Sequence, residues 1–171
     1  FGIEITSDNG KYKIMGENPD NFPKEPAADD TSSFTMTAAG LVTAINKTIF
    51  ATSNDDLRPA MTGVFFELDK KGSQCVATDA HRLVRYRRND LRTPKSAALI
   101  VPKKPLGLLK SALVGMNSRV RIDFNDANAF FSFDHFNVVC RLIDGRYPNY
   151  DAVIPVDNPN KLTVAREPFL N

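Results

Sequence analysis

A chain of 171 residues, 42% of them hydrophobic, can hold one well-buried core with appended pieces. Its 22 basic and 20 acidic side chains leave a formal net charge of +2, too small to announce a nucleic-acid binder and in keeping with a mixed, solvated surface. No apolar run is long enough to cross a bilayer and no charged-then-apolar leader opens the chain, so a cytoplasmic protein without a membrane partner is expected.

In chain order, Phe1 to Ile5 and Lys11 to Ile14 alternate around Ser7-Asp8-Asn9-Gly10, a hairpin signal. The stretch from Gly16 to Asp30 is rich in Pro, Asn, Asp and Glu and reads as a linker. Ser33 to Met36 is a short strand. Thr37 to Ala51 is a helix with Thr37 as N-cap and Leu41, Ile45 and Ile49 on one apolar face. Three strands follow, Gly63 to Leu68, Gln74 to Thr78 and Arg82 to Arg87, with Lys70-Lys71-Gly72-Ser73 as a turn between the first two.

The second half repeats that order. Ala97 to Val101 is a strand, and Lys104 to Leu113 a helix entered through Pro102 and Pro105, since proline suits a first turn whose N–H has no partner. Val120 to Phe124 alternates with charged residues, Asn125 to Asn128 turns, and Ala129 to Phe133 and Phe136 to Leu142 are strands. The pattern predicts an α+β fold with a pseudo-twofold repeat of strand, helix and three strands, two helices lying on one side of antiparallel sheets. Phe65-Phe66 and Phe130-Phe131 are too apolar for strands with a wet face. They indicate strands covered on both sides or, alternatively, a patch of exposed phenylalanines for binding.

Cys75 and Cys140 lie in apolar runs without metal-ligand spacing and read as buried thiols of a reducing compartment; no metal or cofactor is expected. Of the two histidines, His135 falls in a hairpin turn. His81 stands two residues after Asp79, so a small hydrolase built on an Asp–His pair is one reading, although no nucleophile motif or third polar partner accompanies it. A generic α+β interaction module is another. No glycine-rich loop precedes a helix to cradle phosphate. Residues Ala77 to Leu83, ATDAHRL, read better as a corner between strands. Asp79 favours such a corner by bonding its own backbone, glycine is usual next, and Ala80 there implies a different turn or strain. Arg85, Arg87, Arg88 and Arg92 read as an outer surface strand and its exit.

ATDAHRL, the intermediate IVPKK at Ile100 to Lys104, and LIDGRYPNYDAVIP at Leu142 to Pro155 stand in the order and spacing of the middle domain of the bacterial sliding clamp, the DNA polymerase III beta subunit family, whose motifs read roughly A-T-D-G-H-R-L, I-V-P-[KR]-K and L-[IV]-D-G-[RE]-[FY]-P-x-Y. The chain resembles that family from about Phe34 to Pro155, departing at Ala80. The resemblance implies a DNA-clamp domain and a non-catalytic processivity factor of DNA replication. Such a protein encircles duplex DNA without reading its sequence, and tethers the polymerase catalytic subunit, the clamp loader and repair proteins by short linear peptides. It implies that 1–26 are the tail of a preceding clamp domain plus linker, 27–156 the middle domain and 157–171 the start of a following one, an excised piece of a chain that forms a homodimeric ring, itself monomeric as a fragment.

Carried over by position, the peptide pocket includes Met61, Thr78, Ala80, His81, Arg82, Leu83, Pro148 and Val153. Met61 would come from the start of a strand in place of a more usual leucine, and Ala152 stands where some members have arginine. Leu83, Met61, Pro148 and Val153 would wall one groove, with Arg82 and His81 as donors. In the family the helices line the hole. Thr43, Lys47, Lys103, Lys104 and Lys110, with Arg58 in the loop after the first helix, are therefore expected to face DNA.

Overall fold

The structure, a computed structural model, describes residues 2–170. Phe1, placed in the first expected strand, and Asn171 lie outside the described residues. β1 (Gly2–Ser7) and β2 (Gly10–Met15) form the expected hairpin, exposed along both strands, and a single 3-10 turn at Pro19–Asn21 interrupts the linker.

The duplicated pattern follows as read. β3 (Ser32–Thr37) leads into α1 (Ala38–Thr48), where the Thr37 hydroxyl accepts from Gly40 N–H at 3.1 Å and closes the helix N-terminus. The expected last turn of this helix, Ile49–Ala51, is 3-10. β4 (Gly63–Leu68), β5 (Ser73–Thr78) and β6 (Leu83–Arg88) complete the first half. β7 (Ala97–Pro102), α2 (Lys103–Leu113), β8 (Arg119–Phe124), β9 (Asn128–Phe133) and β10 (Phe136–Arg141) complete the second. A short helix, α3 (Arg166–Leu170), ends the described chain.

The halves exchange their first strands. One antiparallel sheet runs β10-β9-β8-β3 and the other β6-β5-β4-β7, so β3 pairs with β8 of the second half and β7 with β4 of the first. Each helix therefore connects the two sheets. Leu41 and Ile45 of α1 and Leu106, Leu109 and Leu113 of α2 are fully buried, in one core with Val64, Phe66, Val101, Ile122 and Phe131 from both sheets. Both helices are amphipathic at helical spacing, and burying their apolar stripes against the sheets supplies the main stabilisation.

The β6 sheet is covered on its second face as well. Alternation sends Val64, Phe66 and Leu68 of β4 into the main core and Phe65 and Glu67 to the opposite side. There Phe65 joins Val76, Ile100, Leu83, Tyr147 and Tyr150 in a second, smaller cluster roofed by the segment after β10. Phe130, 7% exposed, borders a small cavity lined also by Glu25 and Ala28 of the linker. The double-phenylalanine runs thus belong to strands covered on both faces.

Candidate functional site

The ATDAHRL corner is a tight, internally bonded turn. Thr78 Oγ1 donates to the Arg82 carbonyl at 2.8 Å and accepts from Ala80 N–H at 3.1 Å. Asp79 accepts from the backbone N–H of Arg82 at 2.7 Å and of His81 at 3.0 Å, and its carboxylate pairs with the Arg82 guanidinium at 2.8 Å. Those donors, the Arg82 backbone N–H first, hold the Asp79 carboxyl well below the usual carboxylate range. Ala80 sits at φ +75°, in the left-handed region, so the glycine-type turn is kept and alanine is strained in it.

Arg82 reaches beyond the corner to donate to the Phe50 carbonyl at 3.2 Å, which anchors the turn to the end of the first helix. His81 leaves the corner exposed. Leu83 begins β6 half-buried on the sheet's second face, packed in the smaller cluster with Tyr147, Ile154 and Ala60. The expected boundary shifts by one, because the Arg82 backbone is spent on the turn and the first ladder partner of Thr78 is Leu83.

The proline-bearing segment lies across this same face. Leu142 N–H donates to the Ala127 carbonyl and Ile143 N–H to the Ile100 carbonyl, at 2.7 and 3.0 Å, and the chain then crosses β4 and β5. Gly63 allows the approach, since a Cβ there would meet the Val101 carbonyl at 2.6 Å and the Ile143 side chain at 2.8 Å. Tyr147 stacks on Phe65 and donates to the Val76 carbonyl at 3.5 Å. Burial pushes its phenol up to about 12. Tyr150 donates to Glu67, Gln74 Nε2 donates to Tyr150 Oη at 2.8 Å, and Asp151 pairs with Arg85 at 2.8 Å.

Of the four apolar residues expected to wall one groove, Leu83 packs beneath Tyr147 and Ile154 in the smaller cluster. Pro148 borders an open cavity of about 950 Å³ with Phe65, Ile100, Tyr147 and Tyr150, a lining that does not include Met61, Leu83 or Val153. Val153 closes a 3-10 turn, Tyr150–Val153, and is 68% exposed. Met61 is half-buried, in a 3-10 turn (Pro59–Thr62) rather than in the strand where it was expected, because Pro59 opens the turn and the Met61 carbonyl accepts from Ser53 N–H at 2.8 Å. Its neighbour Ala60 is the member of that turn that reaches the cluster.

The residues that hold the segment in place were missed as site residues: Phe65, Glu67, Gln74, Tyr147 and Tyr150. Phe65 carried a signal in its doubly apolar run, and strict alternation puts Glu67 on its face. Tyr147 and Tyr150 stood inside the motif itself, but their direction depends on which face the segment covers.

The helices present the other side. α1 and α2 pack together and neither contains an acidic residue, so Lys47, Lys103, Lys104 and Lys110 are their only charges. All four are exposed and, among the described residues, none is in an ion pair. Lys103 donates to Asn54 at 3.1 Å, bringing the α2 N-terminus to the loop after α1. Arg58 in that loop pairs with Asp55 at 2.9 Å, and the Leu57 backbone N–H, followed by Arg58, lowers the Asp55 pKa. Thr43 is half-buried and its hydroxyl donates back to the Ala39 carbonyl at 2.7 Å.

Two further expectations are corrected. Asp79 bonds the His81 backbone and the Arg82 guanidinium, not the imidazole, so the pairing needed by an Asp–His hydrolase is not formed. Arg88 does not share the outer surface with Arg85 and Arg87. Alternation turns it to the helix side, where it pairs with Asp90 and lies so close to α1 that a Cβ on Gly40 would meet its guanidinium at 2.9 Å. Cys75 and Cys140 are buried free thiols, which burial pushes up to about 12 and about 11. Among the described residues no helix is long and apolar enough to cross a membrane, and no cluster of His, Cys, Asp and Glu could hold a metal ion.

Comparison with known proteins matches residues 35–149 to the family described as DNA polymerase III beta subunit, central domain. The beta sliding clamp of Synechococcus elongatus is 29% identical over 166 residues, covering 95% of this chain and 44% of that protein. The crystal structure of the DNA polymerase sliding clamp from Bacillus subtilis superposes with a TM-score of 0.82 at 27% identity, covering 91% of this chain and 41% of that one. That of the sliding clamp from Bartonella birtlesii bound to griselimycin gives 0.81 at 25% identity, covering 92% and 44%. The chain spans less than half the length of the relatives it matches.

Proposed function

The chain belongs to the DNA polymerase III beta subunit family, and on that footing we propose that it is part of a replication processivity factor, a sliding clamp that encircles duplex DNA and tethers partners through a peptide-binding site. In this reading residues 27–156 are the middle of three clamp domains, 1–26 the tail of the preceding one and 157–171 the start of the next. The whole protein closes as a homodimeric ring in the cytoplasm, and this segment alone is a monomer. The role is non-catalytic and uses no cofactor.

One observation carries the reading. The ATDAHRL corner and the LIDGRYPNYDAVIP segment, about 60 residues apart in sequence, meet on one face of the β6 sheet, and the opposite face of that sheet carries the core helix α1. The partner site and the lysine-bearing helices are thereby separated by a sheet, so a partner can be held without displacing DNA. Pro148, with Phe65 and Tyr147 beside it, offers apolar surface for an aromatic or aliphatic anchor, Leu83 supports that surface from within the cluster, Thr78, Ala80 and Arg82 shape the corner, and His81, Met61 and Val153 stand at its margins.

On the other side, a helix pair with four lysines and no carboxylate offers phosphates a diffuse attraction, and α2 opens without a side-chain cap, leaving backbone N–H groups beside Lys103 and Lys104. Thr43 and Arg58 flank that surface. Arg58 is paired with Asp55, which suits a sliding contact better than a tight one. The reading is tested by titrating a fluorescently labelled peptide, taken from the clamp-binding segment of a DNA polymerase III catalytic subunit, onto the chain. Saturable binding in the micromolar range is expected, and no binding at millimolar chain would contradict it.

A further inference from the structure

The segment from Asp144 to Ile154 makes no backbone hydrogen bond to a strand among the described residues; its backbone bonds are local, Tyr150 N–H to the Pro148 carbonyl at 2.8 Å and Ile154 N–H to the Asp151 carbonyl at 3.4 Å. Side chains therefore hold it on the sheet. The exposed Arg85–Asp151 pair is a weak clasp. The Phe65–Tyr147 stack supplies area but tolerates sliding of one ring over the other, and the Tyr147 hydroxyl reaches the Val76 carbonyl only at 3.5 Å, the long limit of a hydrogen bond. Direction and register must come from a directional contact.

We propose that Tyr150 is the positioning residue of the partner site, latched by Glu67 of β4 and Gln74 of β5 so that Pro148 and Val153 stand at the height a bound peptide requires. The inference rests on the peptide-binding reading above. Tyr150 donates to Glu67 Oε2, Gln74 Nε2 donates to the same oxygen at 2.6 Å and to Tyr150 Oη at 2.8 Å, and the Gln74 carbonyl accepts from Arg87 at 3.4 Å.

Glu67 is half-buried beneath the segment with no ion-pair partner among the described residues. A carboxylate there costs desolvation that an apolar residue would avoid, so packing alone does not account for it; a charge-assisted bond to a fixed phenol does. The Tyr150 phenol is raised above its ordinary value by burial and then by the Glu67 bond, so it remains a donor through the neutral range. The latch lies two residues after Pro148 and three before Val153, on opposite sides of the 3-10 turn that Tyr150 opens. Small rotations of that phenol are passed directly to both.

The test uses the same labelled polymerase-derived peptide, with amide hydrogen exchange as a second readout. Tyr150→Phe removes only the hydroxyl and is expected to weaken peptide binding about fivefold and to speed exchange of the 150–154 amides, with β4 and β5 unaltered. Glu67→Ala is expected to behave alike, while Glu67→Gln, which still accepts from the phenol but without the charge, is expected to fall between Glu67→Ala and the unsubstituted chain. The proposal is overturned if Tyr150→Phe leaves affinity and local exchange unaltered, if exchange rises equally through β4 and β5, or if Glu67→Gln is as damaging as Glu67→Ala. Should the unsubstituted chain bind no peptide, the tethering reading fails by itself and exchange decides the latch: faster 150–154 amides in Tyr150→Phe uphold it, and unaltered ones sink it.

Discussion

Tyr147 lies flat on Phe65, ring centroids 4.6 Å apart and planes 5° from parallel, joining a segment that follows the last strand to the central strand β4. This stack spans the two motifs: Phe65 pairs in register with Val76 of the strand that leads into the ATDAHRL corner, and Tyr147 precedes Pro148. The face it covers is the one opposite the main core, so a single sheet keeps a helix on one side and the proposed partner site on the other.

Ala80 should give way to glycine with a gain. Relief of the left-handed strain is worth about 1–2 kcal/mol, and the added freedom of an unfolded glycine returns about 0.5–1 kcal/mol. Ala80→Gly is therefore expected to stabilise the chain by about 0.5–1 kcal/mol, read as a shift in the urea midpoint at unchanged slope. A loss of stability would show that the corner is not held in the conformation described.

Asp79 gives the corner a pH dependence of known sign. Its folded pKa is depressed, so its contribution is complete above the unfolded carboxylate value of about 3.9 and is lost as pH falls through the lower folded value. Asp79→Asn should be less stable than the unsubstituted chain near neutrality, and the two urea midpoints should converge as pH drops below about 4. A gap independent of pH would mean that the carboxylate charge is not what Arg82 and the turn amides respond to.

Much of this fold is legible in the sequence because local rules decide it. The Leu41-Ile45-Ile49 spacing marks α1, Thr37 caps it, and the strands fall within a residue or two of their expected limits. The exchange of β3 and β7 between sheets is not legible: Phe34 and Leu99 alternate alike whichever neighbour they pair with, and only the tertiary path of each helix selects β8 or β4. The site is half legible. The corner follows from Asp79 and the turn chemistry, whereas the role of Glu67 and Tyr150 depends on a segment without regular structure crossing a sheet face, for which no periodicity exists. Arg88 was misread because an arginine run suggests solvent, yet alternation had already assigned it to the helix side.

The helical lysines should act through charge alone. Replacing Lys103, Lys104 and Lys110 by glutamine is expected to weaken binding of a random duplex at low salt uniformly across sequences, and to flatten the dependence of log K on log salt by up to about 0.9 per lysine. Peptide affinity should not change, since the sheet separates the two surfaces. An unaltered salt slope would remove these side chains from the DNA-facing surface.

Leu83 is the half-buried apolar residue common to the corner and the cluster beneath the segment. Leu83→Ala should weaken the polymerase-derived peptide by about 1–2 kcal/mol, close to tenfold in Kd, measured by fluorescence anisotropy. Unchanged affinity would take the corner out of the binding site.

The most direct test is a map of amide chemical-shift changes as that peptide is titrated onto the isotopically labelled chain. The amides of residues 78–83, of Tyr147 and of residues 149–154 should shift together, with one common binding constant, while the exposed amides of α1 and α2 stay still. Shifts confined to one of the two segments, or centred on the helices, would contradict a partner site built where the corner and the proline-bearing segment meet.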